Sequence, residues 1–542
     1  MPRYRAALQP QLLRWLVQNH DRLQKIDEEG QLLLTDCVGL RSERVKPLGT
    51  ITICFPHVDE ETRIILQSVI DEAEDFGDFA ERLCERVCSE SSPPLLEYLI
   101  AQFSYWIEYH ALIDRLVSAG KVSDLALPLL LLVRESRGEA ISWDDMKKSV
   151  KQALMAAPND WIAAHLYLTW RLIAEYAYPE SDTDIRPIEA VISSVEKNTD
   201  LECLKPYLLW LKAHRFEIEN KSKEALKQWR QALAIARKFD DQVMVADIIR
   251  MIAEHIRQTD VKQAIDLYTS TREISVKIGY KCGIGKVQRS LGLILQSRGE
   301  LDGAIEYISN WRKIGESIGR VTKYDDCLIA CMYNQMREGQ KAFEIAETVV
   351  DFYVNTSGLR YLSRAHVELA WALINLGRYD EAEAELATAH AIATKSGASS
   401  QMIWVELVEA ILEKAEGNFD SAIAVFKEIL EDLENNPVPV LQHICLLSLT
   451  EIEIEMLTGK FLEKNFDSSG PWMTKLVEYA EKNDLPGIVA QALLLKAKLR
   501  RKQGRFDEVR KILREVQKTT KRPSMMYLND LAISMFPDII VT

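Results

Sequence analysis

The chain has 542 residues, of which 47% are hydrophobic and 27% charged, and its formal net charge is −14. It is too long for one globular core, which stops growing near about 250–300 residues, so several domains or an array that grows in one dimension are expected. The negative charge argues against a dedicated nucleic-acid binder, because phosphate contacts need a basic face.

Residues 1–120 are predicted to form a mostly helical N-terminal cap or a small α(+β) domain. Short β-rich stretches at Gln31–Leu34 and Thr50–Phe55 allow a small β-hairpin, and Ser91–Pro94 is typical of a hinge. Gln11–Ile26 is predicted to form an amphipathic helix and Leu95–Leu116 another helix, and Asp59–Val87 between them also has helical spacing.

The sequence favours a cytoplasmic protein without a membrane span, a metal site or a signal peptide. Its longest apolar run, Leu125–Val133, has nine residues and contains Pro128, whereas a membrane span needs about 20. The nine cysteines include no CxxC pair, and scattered free thiols are typical of buried residues in a reducing compartment.

Residues 204–456 contain regular copies of one pattern, and residues 121–203 contain divergent copies. In each regular copy a small alanine precedes a bulky side chain by four residues, and a glycine such as Gly299 or Gly377 often comes just before the copy. The alanines recur at intervals of 39, 40, 38, 40 and 40 residues, counting a less regular copy at Ala342. The five regular pairs are Ala225/Trp229, Ala264/Tyr268, Ala304/Ile308, Ala382/Leu386 and Ala422/Phe426. This pattern predicts two antiparallel helices per unit, which pack closely at small residues and are separated by glycine.

The pattern resembles the tetratricopeptide repeat, in which a Leu-Gly or Leu-Ala pair on a first helix is followed by Gly-x-aromatic and then by spaced alanines. Leu369-Ala370 carries the first element, and Ala232 and Ala389 match the last small position. The period of about 40 residues exceeds the usual 34, and is similar to the longer repeats of kinesin light chains and of the sensor arms of regulatory ATPases. The resemblance implies an all-α solenoid, a right-handed superhelix of antiparallel helix pairs.

The C-terminal part is predicted to contain a loop at residues 457–471, then a last repeat and a tail at residues 472–542. Residues 57–100 hold twelve acidic and three basic side chains, whereas residues 496–523 hold twelve basic and three acidic ones. Solvated helix faces explain this distribution. The alternatives are an acidic partner, an anionic membrane surface or RNA at the basic repeats, or head-to-tail self-association.

No motif predicts catalysis or a cofactor. Gly279–Val287 is similar to a phosphate loop, but its spacing is one residue too long, and Val287 stands where a hydroxyl would bind magnesium. The chain is therefore not expected to be an enzyme. The remaining enzymatic hypothesis places a catalytic part in residues 1–120, which carry no catalytic motif.

The resemblance implies that first helices line the concave face of the array, so groove residues can be assigned copy by copy. They are Trp210, His214, Arg250, Glu254, Arg257, Lys286, Arg289, Cys327, Cys331, Arg364, Trp371, Trp404, Lys414, Lys498 and Arg501. Arg250, Arg289 and Arg364 are expected to be exposed. For the three tryptophans, packing between helices is an equally good explanation. A Lys/Asn clamp for a terminal carboxylate is not indicated, because Asn334 is isolated.

An aromatic and basic lining suits an acidic peptide with apolar anchors, since aromatic and arginine side chains dominate interface energies. The sequence therefore predicts a non-catalytic scaffold or adaptor whose concave face binds an acidic peptide or helix of a partner protein. The competing hypothesis is a transcriptional or RNA-linked regulator that contacts nucleic acid through the basic C-terminal repeats.

Overall fold

The computed structural model describes residues 58–540, except for residues 90, 107, 138, 140, 178–194, 196, 219–220, 258–259, 321–322, 357–358, 397–398, 435–437 and 458–469. Within these residues the chain forms 25 α-helices, two short 3-10 helices and no strand. The predicted all-α solenoid is therefore confirmed. The helix and the β-hairpin predicted before residue 56 lie outside the described residues.

Seven described helices precede the regular repeats. They are α1 Glu60–Glu72, α2 Phe76–Ser89, α3 Pro94–Trp106, α4 His110–Ser118, α5 Leu127–Ser136, α6 Trp143–Ala156 and α7 Asp160–Ala177. The first begins where the Asp59 carboxylate accepts a hydrogen bond from Thr62 N at 2.8 Å, which satisfies an otherwise unpaired amide. The prediction of a single helix for Leu95–Leu116 is wrong. The helix is interrupted between α3 and α4, where Glu108 has a φ of 50°.

Eight antiparallel helix pairs follow, numbered here as repeats 1–8, with a 3-10 helix at Thr199–Leu204 before them. The pairs are α8 Lys205–Ile218 and α9 Ser222–Lys238; α10 Gln242–Ile256 and α11 Val261–Lys277; α12 Lys281–Ser297 and α13 Leu301–Ser317; α14 Tyr324–Gln335 and α15 Gly339–Thr356; α16 Leu359–Asn375 and α17 Tyr379–Ser396; α18 Ser399–Glu416 and α19 Phe419–Asp432; α20 Pro439–Met456 and α21 Pro471–Lys482; α22 Pro486–Lys502 and α23 Phe506–Thr519.

The repeated small and bulky residues pack as the pattern predicts. All five alanines and their bulky partners are buried. On α12, a Cβ added to Gly292 would lie only 2.7 Å from Ile308 Cγ1 on α13, so this crossing requires a residue without a side chain. Gly299 and Gly377 follow first helices with φ of 72° and 75°, a conformation that glycine adopts without strain.

The stretch that is similar to a phosphate loop has a packing role. Gly279 (φ 68°) makes the turn into α12, and a Cβ on Gly285 would lie 1.9 Å from the buried Trp311 indole. Lys286, the residue in the place of the phosphate-binding lysine, approaches Glu108 instead.

The C-terminal part has one more helix than the single pair predicted for the last repeat. Three helices, α21, α22 and α23, occupy residues 471–519. Helix α21 packs against α20, which ends before the predicted loop, and α22 packs against α23. The tail is helical as well, with a 3-10 helix at Pro523–Met525 and then α24 Tyr527–Met535 and α25 Pro537–Ile540.

The array folds back so that its last repeat lies against repeat 3. Gly487 N donates to the Arg298 carbonyl oxygen at 3.0 Å, and the Tyr527 hydroxyl donates to the Gly299 carbonyl oxygen at 3.0 Å. Leu528 and Phe536 are buried in one core with residues of α13. The C-terminal helices thus cover the end of α12.

The N-terminal helices α2 and α4 lie at the other end of the same helix, where α12 begins. Ala111 N donates to the Ile318 carbonyl oxygen at 3.1 Å, and a Cβ on Gly77 would lie 3.0 Å from the Gly279 carbonyl oxygen. One continuous core runs from Val58 to Ile318. With a rise of about 1.5 Å per residue, α12 separates the two covering units by roughly 25 Å.

Candidate partner-binding groove

An open cavity of about 350 Å³ lies where five first helices face the C-terminal end of the chain. We name it the inner cavity. Its walls come from α14, α16, α18, α20 and α22, which are the first helices of repeats 4–8, and α24 closes one side. Its lining residues are Asn334, Gln335, Arg337, Trp371, Ile374, Asn375, Ile411, Lys414, Ala415, His443, Ile444, Leu447, Ser448, Glu451, Gln491, Leu494, Leu495, Leu531 and Met535.

Two cations and one carboxylate provide the charge of the inner cavity. Lys414 Nζ lies 2.8 Å from Glu451 Oε2 and donates to Ser448 Oγ at 3.2 Å, and the Arg337 guanidinium pairs with the same Glu451 carboxylate. Burial alone raises the pKa of Glu451, but Lys414 and Arg337 outweigh burial and lower that pKa to about 2. Because Glu451 stays ionised and is shared, this group carries one net positive charge.

An asparagine pair lies beside these charges. Asn375 Nδ2 donates to the backbone and side-chain oxygens of Asn334 at 3.1 and 3.3 Å, and Asn334 Nδ2 donates to the backbone and carboxylate oxygens of Glu368 at 3.0 and 3.1 Å. The sequence-based view of Asn334 as isolated is therefore wrong. The donors of this pair are directed at the chain's own oxygens, so they position α14 against α16.

Of the residues assigned to the groove from the sequence, the structure places Trp371 and Lys414 at the inner cavity. Sequence reasoning missed Arg337, Asn375 and His443. Arg337 (φ 64°) takes the position after a first helix that glycine has in repeats 3 and 5, so the pattern predicts a residue without a side chain there. Asn375 and Asn334 lie at neighbouring positions near the ends of successive first helices, and these two asparagines were the available signal.

The tryptophans pack within the array. Trp210 is buried and meets Trp229 edge-on, with ring centroids 5.1 Å apart. Trp371 is also buried, at the floor of the inner cavity. Trp404 is covered by Arg364, whose guanidinium carbon lies 3.3 Å from the ring centroid. For Trp210 the packing explanation is therefore correct.

The expected exposure of Arg364 is wrong, since this residue is only 5% exposed. Its guanidinium is held between Trp404 and the buried Glu368, with Nη2 at 2.5 Å from Glu368 Oε1. A charged pair is tolerated here because Trp404 supplies a favourable ring face and Asn334 an amide donor. Cys327 and Cys331, which were also assigned to the groove, are buried in the core because the short α14 is enclosed by its neighbours.

In repeats 2–4 the basic residues are neutralised by the chain itself. Glu108 lies between Lys286 Nζ at 3.4 Å and Arg320 Nε at 2.9 Å. Burial alone raises the pKa of Glu108, but these two cations outweigh burial and lower that pKa to about 2. Lys286, which was assigned to the groove from the sequence, is thus paired with Glu108 of the N-terminal helices.

The other two arginines that were expected to be exposed also pair within the chain. Arg289 Nε lies 3.1 Å from Asp325 Oδ1. Arg250 Nε lies 3.5 Å from Asp247 Oδ1, and the Arg250 side chain is only 15% exposed, so the expectation is wrong for Arg250 as well.

The remaining assigned side chains also meet carboxylates of the same chain. The distances are 3.6 Å for His214 to Glu217, 3.3 Å for Arg257 to Glu254, 2.6 Å for Lys498 to Glu455 and 2.7 Å for Arg501 to Asp538. Most basic residues assigned to the concave face from the sequence therefore form ion pairs within the chain. At the inner cavity, charged side chains lie beside apolar surface.

The described part of the chain has no group of three or more His, Cys, Asp and Glu side chains placed to hold a metal ion. Each helix in that part is too short or too polar to cross a membrane.

No protein-family model matches the sequence, and no curated protein matches it either. Among solved structures, aspartyl phosphate phosphatase F from Bacillus subtilis is 14% identical with a TM-score of 0.42, over 70% of this chain and 93% of that one. A signal-transduction ATPase with a tetratricopeptide repeat sensor from Pyrococcus horikoshii is 13% identical with a TM-score of 0.32, over 82% and 69% of the two chains. Yeast Tom70 is 11% identical with a TM-score of 0.30, over 85% and 92%. Because these TM-scores are below 0.5, the assignment of a tetratricopeptide-type solenoid rests on the helix pairs described above.

Proposed function

We propose that this chain is a non-catalytic protein-interaction scaffold that holds a segment of a partner protein in the inner cavity. The observation that carries the proposal is the convergence of five first helices on one concave surface, where an apolar floor adjoins the shared Lys414–Glu451–Arg337 group. Aromatic and arginine side chains around a concave apolar surface are typical of binding sites for proteins and peptides.

The partner segment is proposed to be acidic and to carry apolar anchors. The cavity volume of about 350 Å³ lies at the lower end of the range of ligand pockets, about 300–1,000 Å³, and suits a few side chains of a larger ligand. Ile374, Leu447 and Leu494 offer apolar contacts. A carboxylate at the cavity mouth would share Lys414 and Arg337 with Glu451 and would compensate the remaining positive charge.

A blocking substitution tests this proposal. Ala415 lines the cavity and its own side chain is exposed, so Ala415→Trp fills the mouth without displacing core residues. The probe is a fluorescein-labelled peptide library in which leucines alternate with Asp and Glu, matched by a library with Asn and Gln instead. We expect fluorescence polarisation to show binding of the acidic library by the wild type and at least about tenfold weaker binding by Ala415→Trp, a loss of about 1.4 kcal/mol.

The matched control is Lys427→Glu, an exposed substitution on α19, the second helix of the same repeat. It changes the charge of the chain without touching the cavity, so binding should stay at the wild-type level. Equal binding of both libraries, or binding that Ala415→Trp leaves unchanged, would contradict the proposal.

A further inference from the structure

Helix α23 carries a row of cations on its solvent side. Its apolar residues Val509, Ile512, Leu513 and Val516 are buried. The helical period places Lys511, Arg514 and Lys518 on the opposite side, and all three are exposed. We name this row, together with the exposed Arg510, Lys521 and Arg522, the basic face.

Within the basic face Arg510 pairs with Asp507 at 3.0 Å, and several other cations of the last repeat are also engaged. Lys498 and Lys502 both pair with Glu455 at 2.6 Å, and Arg501 pairs with Asp538 at 2.7 Å. By contrast, Lys511, Arg514 and Lys518 make no ion pair with any residue that the structure describes. On the solvent side of α23 these three cations and Arg510 therefore outnumber the exposed acids Asp507 and Glu515.

Helix α1 presents the complementary surface at the other end of the chain. It buries Thr62, Leu66, Val69 and Ile70, while its opposite side exposes acidic residues around a large apolar side chain, Ile64, which is 61% exposed. We name these residues the acidic face: Glu60, Glu61, Ile64, Asp71 and Glu72. Beside the basic face, Phe506 is 49% exposed, so each face combines charge with one exposed apolar residue.

The fold separates the two faces within one chain. The unit that contains α1 packs at the beginning of α12, near Gly279, and the unit that contains α23 packs at the end of α12, near Gly299. The length of α12 is roughly 25 Å, so the two attachment points hold these units at opposite ends of that helix. A second copy of the chain has no such restriction.

We propose that the acidic face of one copy docks on the basic face of another, so that the chain associates head to tail. The contact joins two different surfaces, which makes it heterologous and allows rings or open filaments to form. Exposed charges supply much of the attraction, so association should be strongest at low ionic strength and weaken at about 1 M salt, where the Debye length is about 3 Å.

Sedimentation velocity on the full chain tests this proposal through two charge-reversed variants. One is Lys511→Glu/Arg514→Glu/Lys518→Glu, and the other is Glu61→Lys/Asp71→Lys/Glu72→Lys. The wild type should show a concentration-dependent increase in sedimentation coefficient at low salt. Each variant alone should associate about tenfold more weakly, and an equimolar mixture of the two should associate again, because each then offers the surface that the other needs.

The matched control is Lys223→Glu/Lys227→Glu/Arg230→Glu, which reverses three exposed charges over a span of the same length on α9, a second helix of another repeat. It should associate as the wild type does. Circular dichroism establishes that each variant is folded. If a reversed variant unfolds, the neutral Lys511→Gln/Arg514→Gln/Lys518→Gln variant takes its place and should show the same weakening.

A wild type that stays monomeric at every concentration at low salt would overturn the proposal, as would folded variants whose mixture does not associate. A monomeric wild type that shifts single-stranded RNA with a steep salt dependence, and loses that shift on Lys511→Glu/Arg514→Glu/Lys518→Glu, would assign the basic face to nucleic acid and equally refute self-association.

Discussion

Replacing Glu108 by glutamine removes a negative charge that attaches the N-terminal helices to the repeats. The Glu108 carboxylate is shared by Lys286 and Arg320, and the substitution keeps its size while leaving both cations without this partner. Breaking a buried ion pair costs about 3–5 kcal/mol. Because the Glu108 side chain is 28% exposed, water recovers part of the loss, and we expect a destabilisation of about 2 kcal/mol for this attachment.

The effect of Glu108→Gln should depend on pH in a defined direction. The folded state lowers the pKa of Glu108 from its ordinary value of 4.5 to about 2. The stabilisation is therefore fully present above the unfolded-state pKa and is lost as the pH falls through the folded-state pKa. The difference in stability between wild type and variant should be constant near neutral pH and shrink between about pH 4 and pH 2, as measured by chemical denaturation.

Hydrogen exchange locates the same effect. At neutral pH we expect amides of α4 and of the turns at Gly279 and Gly319 to exchange about 30-fold faster in Glu108→Gln, the factor that corresponds to about 2 kcal/mol. The control is Glu306→Gln, an exposed position on α13, which should change nothing measurable. Unchanged exchange in α4, or a faster rate spread evenly over all repeats, would refute this account of the attachment.

Two further substitutions test the packing of the repeats. Gly285→Ala should lower the free energy of unfolding by about 1–3 kcal/mol in urea denaturation, because its Cβ would lie 1.9 Å from the buried Trp311 indole. The control Gly315→Ala should be neutral or slightly stabilising, because its Cβ meets nothing closer than 3.5 Å. Equal effects of the two substitutions would contradict this packing. Arg364→Ala should cost about 3–5 kcal/mol in the same assay, because it leaves the buried Glu368 without its counter-charge. A free energy of unfolding equal to that of the wild type would contradict the burial of Arg364.

The helix pairs could be predicted from the sequence because their determinants are local and repeated. A small residue such as Ala382 and a bulky residue such as Leu386 occupy one face of the same helix, and Gly377 ends the helix before them. These features lie within a few residues of one another, and they recur in each repeat. One sequence therefore contains enough copies to show the pattern that specifies a helix pair.

The groove could not be predicted in the same way, because its accessible residues are decided by contacts between distant parts of the chain. Lys286 was assigned correctly to a first helix, but the sequence does not indicate that Glu108 covers it. Likewise, Leu531 and Met535 close the inner cavity although they lie in a segment predicted only as a tail. Periodicity identifies which face a residue lies on, and long-range packing decides whether that face remains open.

The fold-back of the last repeat onto repeat 3 is what encloses the inner cavity, and a disulfide tests it directly. A Cβ on Gly303 would lie 2.8 Å from Ser524 Cβ, which is shorter than the separation of about 3.5–4.5 Å in disulfides, so the two segments need to move apart by only about 1 Å to reach that range. The double variant Gly303→Cys/Ser524→Cys should therefore form an intramolecular disulfide under mild oxidation, identified by peptide mass spectrometry, whereas Gly315→Cys/Ser524→Cys should not. A first variant whose two new thiols stay reduced, or that links only between chains, would contradict the closed arrangement and the cavity with it.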